Sequence, residues 1–272
     1  MNEITIEAGR SEKQYWRDLW SYRELFYFLA WRDILVRYKQ TVAGISWAVL
    51  RPLLMMAILT IVFSKLARFS SGNVPYPVYV FSALLPWQFF ATAFTGSGNS
   101  LVTNRSMISK IYFPRLIVPA ASIITSLVDF LIAAALLALT MIYYQYMPSA
   151  RILYLPFFLA LAFMASFGFG LWVAALMVRY RDFRHMIPFI IQIGLYASPV
   201  GYPIDKVPEK WLPVYSLNPM VGVIDGFRWA LLGDDYHPYL PGFAISVVIV
   251  TLATWTGIHY FRKTERTFAD VI

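Results

Sequence analysis

Long stretches without an aspartate, glutamate, lysine or arginine dominate this chain, and short charged clusters separate them. Four such windows cover residues 69–104, 130–150, 152–178 and 236–261. Two more apolar stretches are Gln40–Ser64, which only Arg51 interrupts, and the shorter Met186–Ile204. A helix of about 20 apolar residues crosses the ~30 Å hydrocarbon core of a bilayer. Because the runs are continuous rather than alternating, they favour helices over barrel strands.

The pattern therefore predicts an all-α integral membrane protein with six transmembrane helices. The predicted spans are about 45–66, 78–98, 116–145, 152–178, 186–203 and 240–261. We place them in one membrane domain, 45–262, between cytoplasmic segments 1–44 and 263–272.

The segment before the first span is polar, charged and aromatic, and residues 1–39 lack the apolar core of a signal peptide. Residues 21–39 mix aromatic with basic side chains, which is typical of a helix at the membrane interface. The apolar stripe of such a helix is imperfect, because Arg32 and Lys39 fall beside Leu25 and Val36. We predict an amphipathic interface helix; a juxtamembrane stop with basic anchors is the alternative.

The region between the last two spans is rich in proline and yet apolar. Residues 199–241 contain seven prolines and also the stretch MVGVIDGFRWALL. That stretch is too short to cross a membrane and too apolar for a free loop. We predict short re-entrant helices that dip into the outer leaflet.

Composition and charge set the orientation. The chain of 272 residues is 59% hydrophobic and only 14% charged, which a soluble domain would not be, and it has no cysteine for disulfides or thiolate metal sites. With a cytoplasmic N-terminus, 16 lysines and arginines fall in inside segments and six outside. This bias predicts that both termini are cytoplasmic, and it argues against nucleic acid as the partner of the +8 net charge. The six outside residues are Lys65, Arg68, Arg151, Lys206, Lys210 and Arg228.

Catalytic motifs are absent from the sequence. No glycine precedes a lysine, so there is no GxxxxGK[ST] phosphate loop, and neither HExxH nor GxSxG occurs. Asp182 and His185 could form an acid–base pair, but a solvated basic turn is the favoured interpretation. We predict no catalytic residue and no metal site, and we interpret the chain as a non-enzyme.

Two charged residues, Arg51 and Asp129, fall inside predicted spans and away from their last turns, where charge is costly. Asp129 in the third span is by default a functional candidate, such as a proton carrier. We favour structural pairing, with Arg51 as the intramembrane partner, or hydrogen bonding to neighbouring hydroxyls.

An aromatic face runs along the second predicted span. On an ideal helix Tyr79, Trp87, Phe90 and Phe94 lie within an arc of about 80°. Such a face is typical of core packing or an interfacial belt. The functional alternative is a channel wall that holds sugar rings by their C–H surfaces and lets a sugar chain slide.

Five motifs then carry a family resemblance. RYKQTVAGISWAVLRPLL, FSALLPWQFF, NRSMISKIYFPRLIVP, VRYRDF and SLNPM occur in this order, within roughly residues 30–265. The chain resembles the permeases of type-2 ABC transporters, and is most similar to those that export O-antigen and teichoic-acid polysaccharides. The resemblance implies a homodimer of six-span subunits with two copies of a separate cytoplasmic ATPase, which would bind ATP and Mg²⁺. It also implies two re-entrant outer helices and a lipid-linked glycan that passes between the subunits.

The resemblance assigns roles to three groups of residues. A coupling helix from about Leu101 to Ile111, ended by Pro114, would dock on the ATPase; a positive-inside loop is the alternative. Its contact residues would be Asn104, Arg105, Met107, Ile108, Lys110, Ile111 and Tyr112. The translocation path would include Trp47, Arg51, Tyr79, Trp87, Phe90, Tyr196 and Tyr202. Arg32, Arg37 and Lys39 would attract the carrier lipid's pyrophosphate, or bulk anionic lipid.

We therefore expect the membrane subunit of an exporter of O-antigen-like, lipid-linked polysaccharide. Two alternatives stay open at this point. One is a type-2 exporter of a lipid or drug, and the other is an integral membrane transferase that acts on lipid-linked sugars.

Overall fold

The computed structural model describes residues 12–39, 42–180, 182–265 and 268, and every regular element within these ranges is a helix. This confirms the all-α prediction. The α-helices are α1 (Glu12–Ser21), α2 (Arg23–Tyr38), α3 (Val42–Thr60), α4 (Tyr76–Thr103), α5 (Arg105–Ile108), α6 (Ile117–Tyr143), α7 (Leu155–Arg179), α8 (Phe183–Tyr196), α9 (Leu212–Tyr215), α10 (Pro219–Leu232) and α11 (Leu240–Thr264). A π-helical segment, Ile61–Leu66, continues α3.

Five helical segments of the described chain are long and apolar enough to cross a membrane. They are Ser46–Leu66, Tyr76–Thr103, Ile117–Tyr143, Ala150–Arg179 and Leu240–Thr264. The fifth predicted span, 186–203, differs from expectation. Its helix, α8, has 14 residues and is about 21 Å long, and it ends at Tyr196. Residues 197–202 form turns, in a stretch where Pro199 cannot donate a backbone hydrogen bond.

Helix α4 is the centre of the bundle. In its apolar window 83% of the residues are buried, against 11% in the window of α3, so α4 is interior and α3 peripheral. Val78, Phe81 and Leu84 have no exposed surface. Helices α6, α7 and α10 pack along α4. A helix that is apolar all round is buried on all sides, and α4 follows that rule.

Helices α7 and α11 run parallel. Phe157 contacts Phe243 near their first turns, and Trp172 stacks on Tyr260 near their ends, with ring centroids 4.3 Å apart. Between these contacts the helices cross at a glycine, Gly168, which lies against the backbone of α11. Small residues permit this close approach.

The segment that connects α7 to α11 in the sequence first runs back along α4. Ile187 lies against Gly98, Gly194 against Trp87, and the Tyr76 hydroxyl donates to the Gly201 carbonyl at 2.7 Å. From Gly98 to Tyr76, α4 rises about 33 Å. Helix α8 and the turns that follow it therefore run along the same length of the bundle as α4, in the direction opposite to α4.

The described ends of the chain meet at one end of the bundle. The Tyr15 hydroxyl on α1 donates to Glu265 Oε2 at 3.1 Å, and the Arg262 guanidinium lies 4.6 Å from the Tyr15 ring centre. The Arg115 guanidinium, just before α6, contacts the Glu265 carbonyl. Burial of its ring and then the Glu265 carboxylate raise the pKa of Tyr15, so its hydroxyl stays a donor.

At the opposite end α10 inserts into the bundle. Its side chains are almost all buried, and it packs on α4, α7 and α11. Arg228, which the charge count places among the exposed outer residues, is fully buried. Its guanidinium lies 3.8 Å from the Tyr79 ring centre and donates to the Val200 carbonyl at 2.9 Å. Arg228 therefore does not belong in the orientation count, because that rule concerns charges in loops.

Candidate functional site

A cleft of about 700 Å³ opens between α2, α3, α4, α6 and α8. All five helices contribute to its lining. Most lining residues are apolar or aromatic, and three of the polar ones, Arg37, Tyr38 and Asp129, contact one another. The lining includes Arg37, Tyr38, Trp47, Arg51, Met55, Trp87, Gln88, Thr92, Asp129, Phe130, Pro188, Ile191, Gln192 and Tyr196.

Four of the residues predicted for the translocation path line this cleft. They come from three helices: Trp47 and Arg51 from α3, Trp87 from α4 and Tyr196 from α8. Trp47 and Tyr196 are about 60% exposed, so their rings are available to a ligand. Trp87 is buried against Gly194, where a side chain would collide with the indole.

The rest of the predicted aromatic face is buried in the bundle. Phe90 and Phe94 stack with centroids 5.6 Å apart and an angle of 5° between their planes, and each is less than a tenth exposed. Tyr79 lies under Arg228, far along α4 from the cleft. A helical wheel predicts direction only, and α4 has neighbours in nearly every direction.

Tyr202 also lies outside the cleft. Its hydroxyl is 2.8 Å from that of Tyr215, and its ring contacts Phe63. The structure thus places four predicted path residues in the cleft, Tyr79 and Tyr202 at the α10 end, and Phe90 inside the bundle.

A polar cluster in the cleft is centred on Asp129 of α6. The Arg37 Nη2 atom lies 2.7 Å from Asp129 Oδ2, and the Tyr38 hydroxyl donates to Asp129 Oδ1. Burial and then the Asp129 carboxylate raise the pKa of Tyr38, which keeps the phenol protonated. Asp129 forms an ion pair, as predicted, but the predicted partner is wrong. Its partner is Arg37 of the interface helix rather than Arg51.

Several polar lining residues were not predicted from the sequence, among them Tyr38, Gln88 and Gln192. Tyr38 stands beside Arg37 and entered the prediction only as one of the aromatic residues within 21–39. Gln88 and Gln192 each interrupt an apolar stretch within a helix, and both line the cleft. A polar amide in a span is costly unless it meets a polar surface, so this signal was available in the sequence.

The other two predicted anion-attracting residues lie elsewhere. Arg32 contacts Asp33 at 2.7 Å and donates to Asn104 Oδ1 at 2.7 Å, so it joins α2 to the corner after α4. Lys39 is exposed at the end of α2. Of the three, only Arg37 lines the cleft.

The predicted coupling helix is shorter than expected. Helix α4 ends at Thr103, α5 contains only Arg105–Ile108, and turns follow. The break occurs at Asn104, whose side chain donates to the Ser100 carbonyl at 2.9 Å.

The side chains of this segment divide into two sets. Asn104 and Ile108 are buried within the chain itself, and Met107 packs against the apolar cluster that contains Ile108. These residues fasten the segment to the bundle. The exposed set consists of Arg105, Lys110, Ile111 and Tyr112.

Comparison with known proteins places these features in a family. Residues 24–232 match the family described as ABC-2 type transporter. The O-antigen export system permease protein RfbA of Myxococcus xanthus is 26% identical over 262 residues, which covers 94% of this chain and 98% of that protein. The protein of the same name from Klebsiella pneumoniae is 27% identical over 243 residues, 89% of this chain and 92% of that protein. The polysialic acid transport protein KpsM of Escherichia coli is 23% identical over 234 residues, 82% and 89% of the two chains.

Proposed function

The chain belongs to the ABC-2 type transporter family, and we propose that it is the membrane subunit of an ATP-driven polysaccharide exporter. Its substrate would be a lipid-linked, O-antigen-like glycan that moves from the cytoplasmic to the outer side of the bacterial inner membrane. The relatives named for O-antigen export match nearly the whole chain, which supports this substrate class over a drug or lipid.

The aromatic cleft is the observation that carries the proposal. Trp47 from α3 and Tyr196 from α8 both line it with exposed rings, and the amides of Gln88 and Gln192 also belong to its lining. Aromatic rings contact the C–H faces of sugars without demanding one hydrogen-bond pattern. A polymer of sugars can therefore slide past them, which a site of fixed polar contacts would not allow.

A homodimer would turn this open cleft into a channel. Helices α3 and α8 flank the cleft and expose apolar side chains beside it, including Leu54, Ile58, Phe189 and Ile193. A second copy that faces these helices would enclose the path between the subunits. Because the chain has no cysteine, single cysteines at Ile58 or Phe189 would report such contacts by cross-linking without background.

Six membrane crossings fit the contacts best. Helix α1 packs against the end of α11, so the described ends of the chain lie on one side, which requires an even number of crossings. Five helices are long enough to cross. Helix α8 with residues 197–201 would be the sixth crossing, and α9 with α10 the re-entrant pair. The excess of basic residues in the segments at this end supports a cytoplasmic location for it.

Coupling to a separate ATPase would occur at that same end. Ile111 and Tyr112 are more than half exposed there, and Arg105 and Lys110 flank them. Apolar side chains surrounded by basic ones suit a cleft with an acidic rim. The ATPase, two copies per dimer, would bind ATP and Mg²⁺ and drive the movement.

Replacement of the exposed cleft aromatics tests the proposal. We expect Trp47→Ala with Tyr196→Ala to reduce surface glycan strongly in cells that rely on this chain, since both rings line the cleft and are about 60% exposed. Trp255→Ala is the matched control, because that indole is 59% exposed on α11 and does not line the cleft. Normal export by a well-expressed double variant would refute the channel-wall role.

A further inference from the structure

The cleft contains one carboxylate and two guanidinium groups. Among the described lining residues, the side chains with a full charge are Arg37, Arg51 and Asp129, which leaves one net positive charge. Both oxygens of Asp129 are engaged by consecutive residues at the end of α2: Oδ2 by Arg37 and Oδ1 by the Tyr38 hydroxyl. This carboxylate thus supplies polar contacts between the end of the interface helix and α6, in addition to the packing of the two helices.

The groups that hold the carboxylate of Asp129 can also hold another anion. The N–H groups of a guanidinium donate to a carboxylate or to a phosphate. A phenol hydroxyl likewise donates to either oxyanion. The pair is also reachable from the cleft, because the Arg37 side chain is 42% exposed and that of Asp129 20% exposed. A displaced Asp129 carboxylate stays in a cleft that also holds Arg51, so its charge is not left without a cation there.

We propose that Asp129 is an internal competitor that occupies the anion-binding groups of Arg37 and Tyr38 until the diphosphate of the lipid-linked substrate displaces it. Displacement frees the end of α2 from α6 and opens the cleft to the substrate. Asp129 is then a positioning residue that sets which anions are admitted, since a weak anion does not displace it. The inference rests on the proposed function, because it requires a phosphate-bearing substrate.

The expected size follows from a two-state equilibrium. A site that is available only a fraction of the time binds its ligand more weakly by that fraction. If Asp129 occupies the site about nine-tenths of the time, removal of its charge tightens diphosphate binding about tenfold. A purely structural role for Asp129 predicts the opposite sign, since loss of the carboxylate would loosen Arg37 and weaken binding.

Binding of farnesyl diphosphate to the purified full-length chain tests whether removal of the Asp129 charge tightens or weakens diphosphate binding. The chain is held in nanodiscs of phosphatidylcholine, which carries no net charge. We expect about tenfold tighter binding by Asp129→Asn than by wild type, and loss of binding by Arg37→Gln. The matched control is Asp234→Asn, which removes the same charge from an ion pair with Arg151 outside the cleft. Its affinity should equal that of wild type.

Two further ligands distinguish the sources of the anion. Inorganic diphosphate should compete with farnesyl diphosphate, because both offer the group that Arg37 recognises. Nanodiscs that contain phosphatidylglycerol should leave the affinity for farnesyl diphosphate nearly unchanged, since a monoanionic diester is a weaker competitor for the carboxylate's place.

A distance measurement follows the end of α2 in the otherwise unaltered protein. Spin labels at Val36→Cys and Leu131→Cys sit on exposed positions of α2 and α6, close in sequence to Arg37 and Asp129. Electron resonance should give a narrow distance distribution without ligand. Farnesyl diphosphate should broaden or lengthen it, and Asp129→Asn should do so without ligand. This readout remains decisive even where Asp129→Asn does not fold, since the labelled parent carries the native carboxylate.

Three results would overturn the inference. Equal or weaker binding by Asp129→Asn, with wild type binding and Arg37→Gln not, leaves an anion site but removes the competitor. An α2–α6 distance that farnesyl diphosphate does not change removes the displacement step. If no variant binds farnesyl diphosphate better than farnesol, the substrate class of the proposed function fails together with the inference.

Discussion

The close approach of α7 and α11 at Gly168 predicts that a larger residue at this position lowers stability. A Cβ atom added to Gly168 would lie 2.6 Å from the Thr254 nitrogen and 2.7 Å from its Cα. Non-bonded carbon atoms are normally ~3.5–4.0 Å apart, so Gly168→Ala must push the helices apart by about 1 Å. The obstacle is backbone, which no rotamer change can move.

The free energy can be worked out from opposing effects. Overpacking costs ~1–3 kcal/mol, and a rigid backbone obstacle places this site near the upper value. Alanine regains about 0.8–1.0 kcal/mol over glycine through helix propensity. The net loss is therefore about 2 kcal/mol. Separation also strains the hydrogen bond from Thr254 to the Met164 carbonyl, now 3.0 Å long.

Gly96→Ala in α4 is the matched control, with the opposite expected sign. Its added Cβ would be 3.4 Å from the Ser122 carbonyl oxygen, which is ordinary contact. The propensity gain of up to about 1 kcal/mol should then leave this variant as stable as wild type or slightly more so.

Thermal unfolding in detergent, followed by tryptophan fluorescence, measures both variants. Trp172, which stacks on Tyr260 beside the crossing, is one of the nine tryptophans that contribute to this signal. We expect a lower midpoint for Gly168→Ala and an equal or higher one for Gly96→Ala. A midpoint for Gly168→Ala at or above that of Gly96→Ala would refute the close-packing argument.

Two other predictions concern the α10 end and the coupling segment. Arg228→Gln should lower the thermal midpoint markedly, because it removes two contacts of the guanidinium. These are a charge-assisted hydrogen bond to the Val200 carbonyl, worth ~1.5–3 kcal/mol, and a desolvated cation–π contact with Tyr79, worth about 2 kcal/mol. An unchanged midpoint would contradict this account. Ile111→Glu should leave stability unaltered and reduce export, since that side chain is exposed, whereas Ile108→Glu should prevent stable folding because it buries an unpaired charge. Thermal unfolding and surface glycan, measured on both, separate the two effects, and full export by Ile111→Glu would argue against docking there.

Much of the architecture could be predicted from local pattern. The apolar windows correspond to five long helices, and the aromatic, basic stretch after residue 21 corresponds to α2. These features depend on hydropathy over about one span length, which neighbouring residues decide together. The fifth span was less predictable, since prolines shorten its helix at Tyr196 while the chain continues along α4.

The candidate site was only partly predictable. Trp47, Arg51 and Tyr196 were named from the resemblance, and they line one cleft together with Trp87. Tyr79, Trp87 and Phe90 were named from both the resemblance and a helical wheel, and a wheel cannot tell a channel wall from a core when a helix has neighbours on all sides. Tertiary packing buries Tyr79 and Phe90.

By itself, the sequence determined the class of protein: a helical membrane chain with basic residues biased to one side and a family resemblance carried by ordered motifs. These properties follow from composition and short-range pattern. Only the tertiary structure decided that Asp129 pairs with Arg37 rather than Arg51, that Arg228 is buried, and that Ile108 faces inward. Such pairings join residues far apart in the chain, and their geometry exists only once the helices have packed.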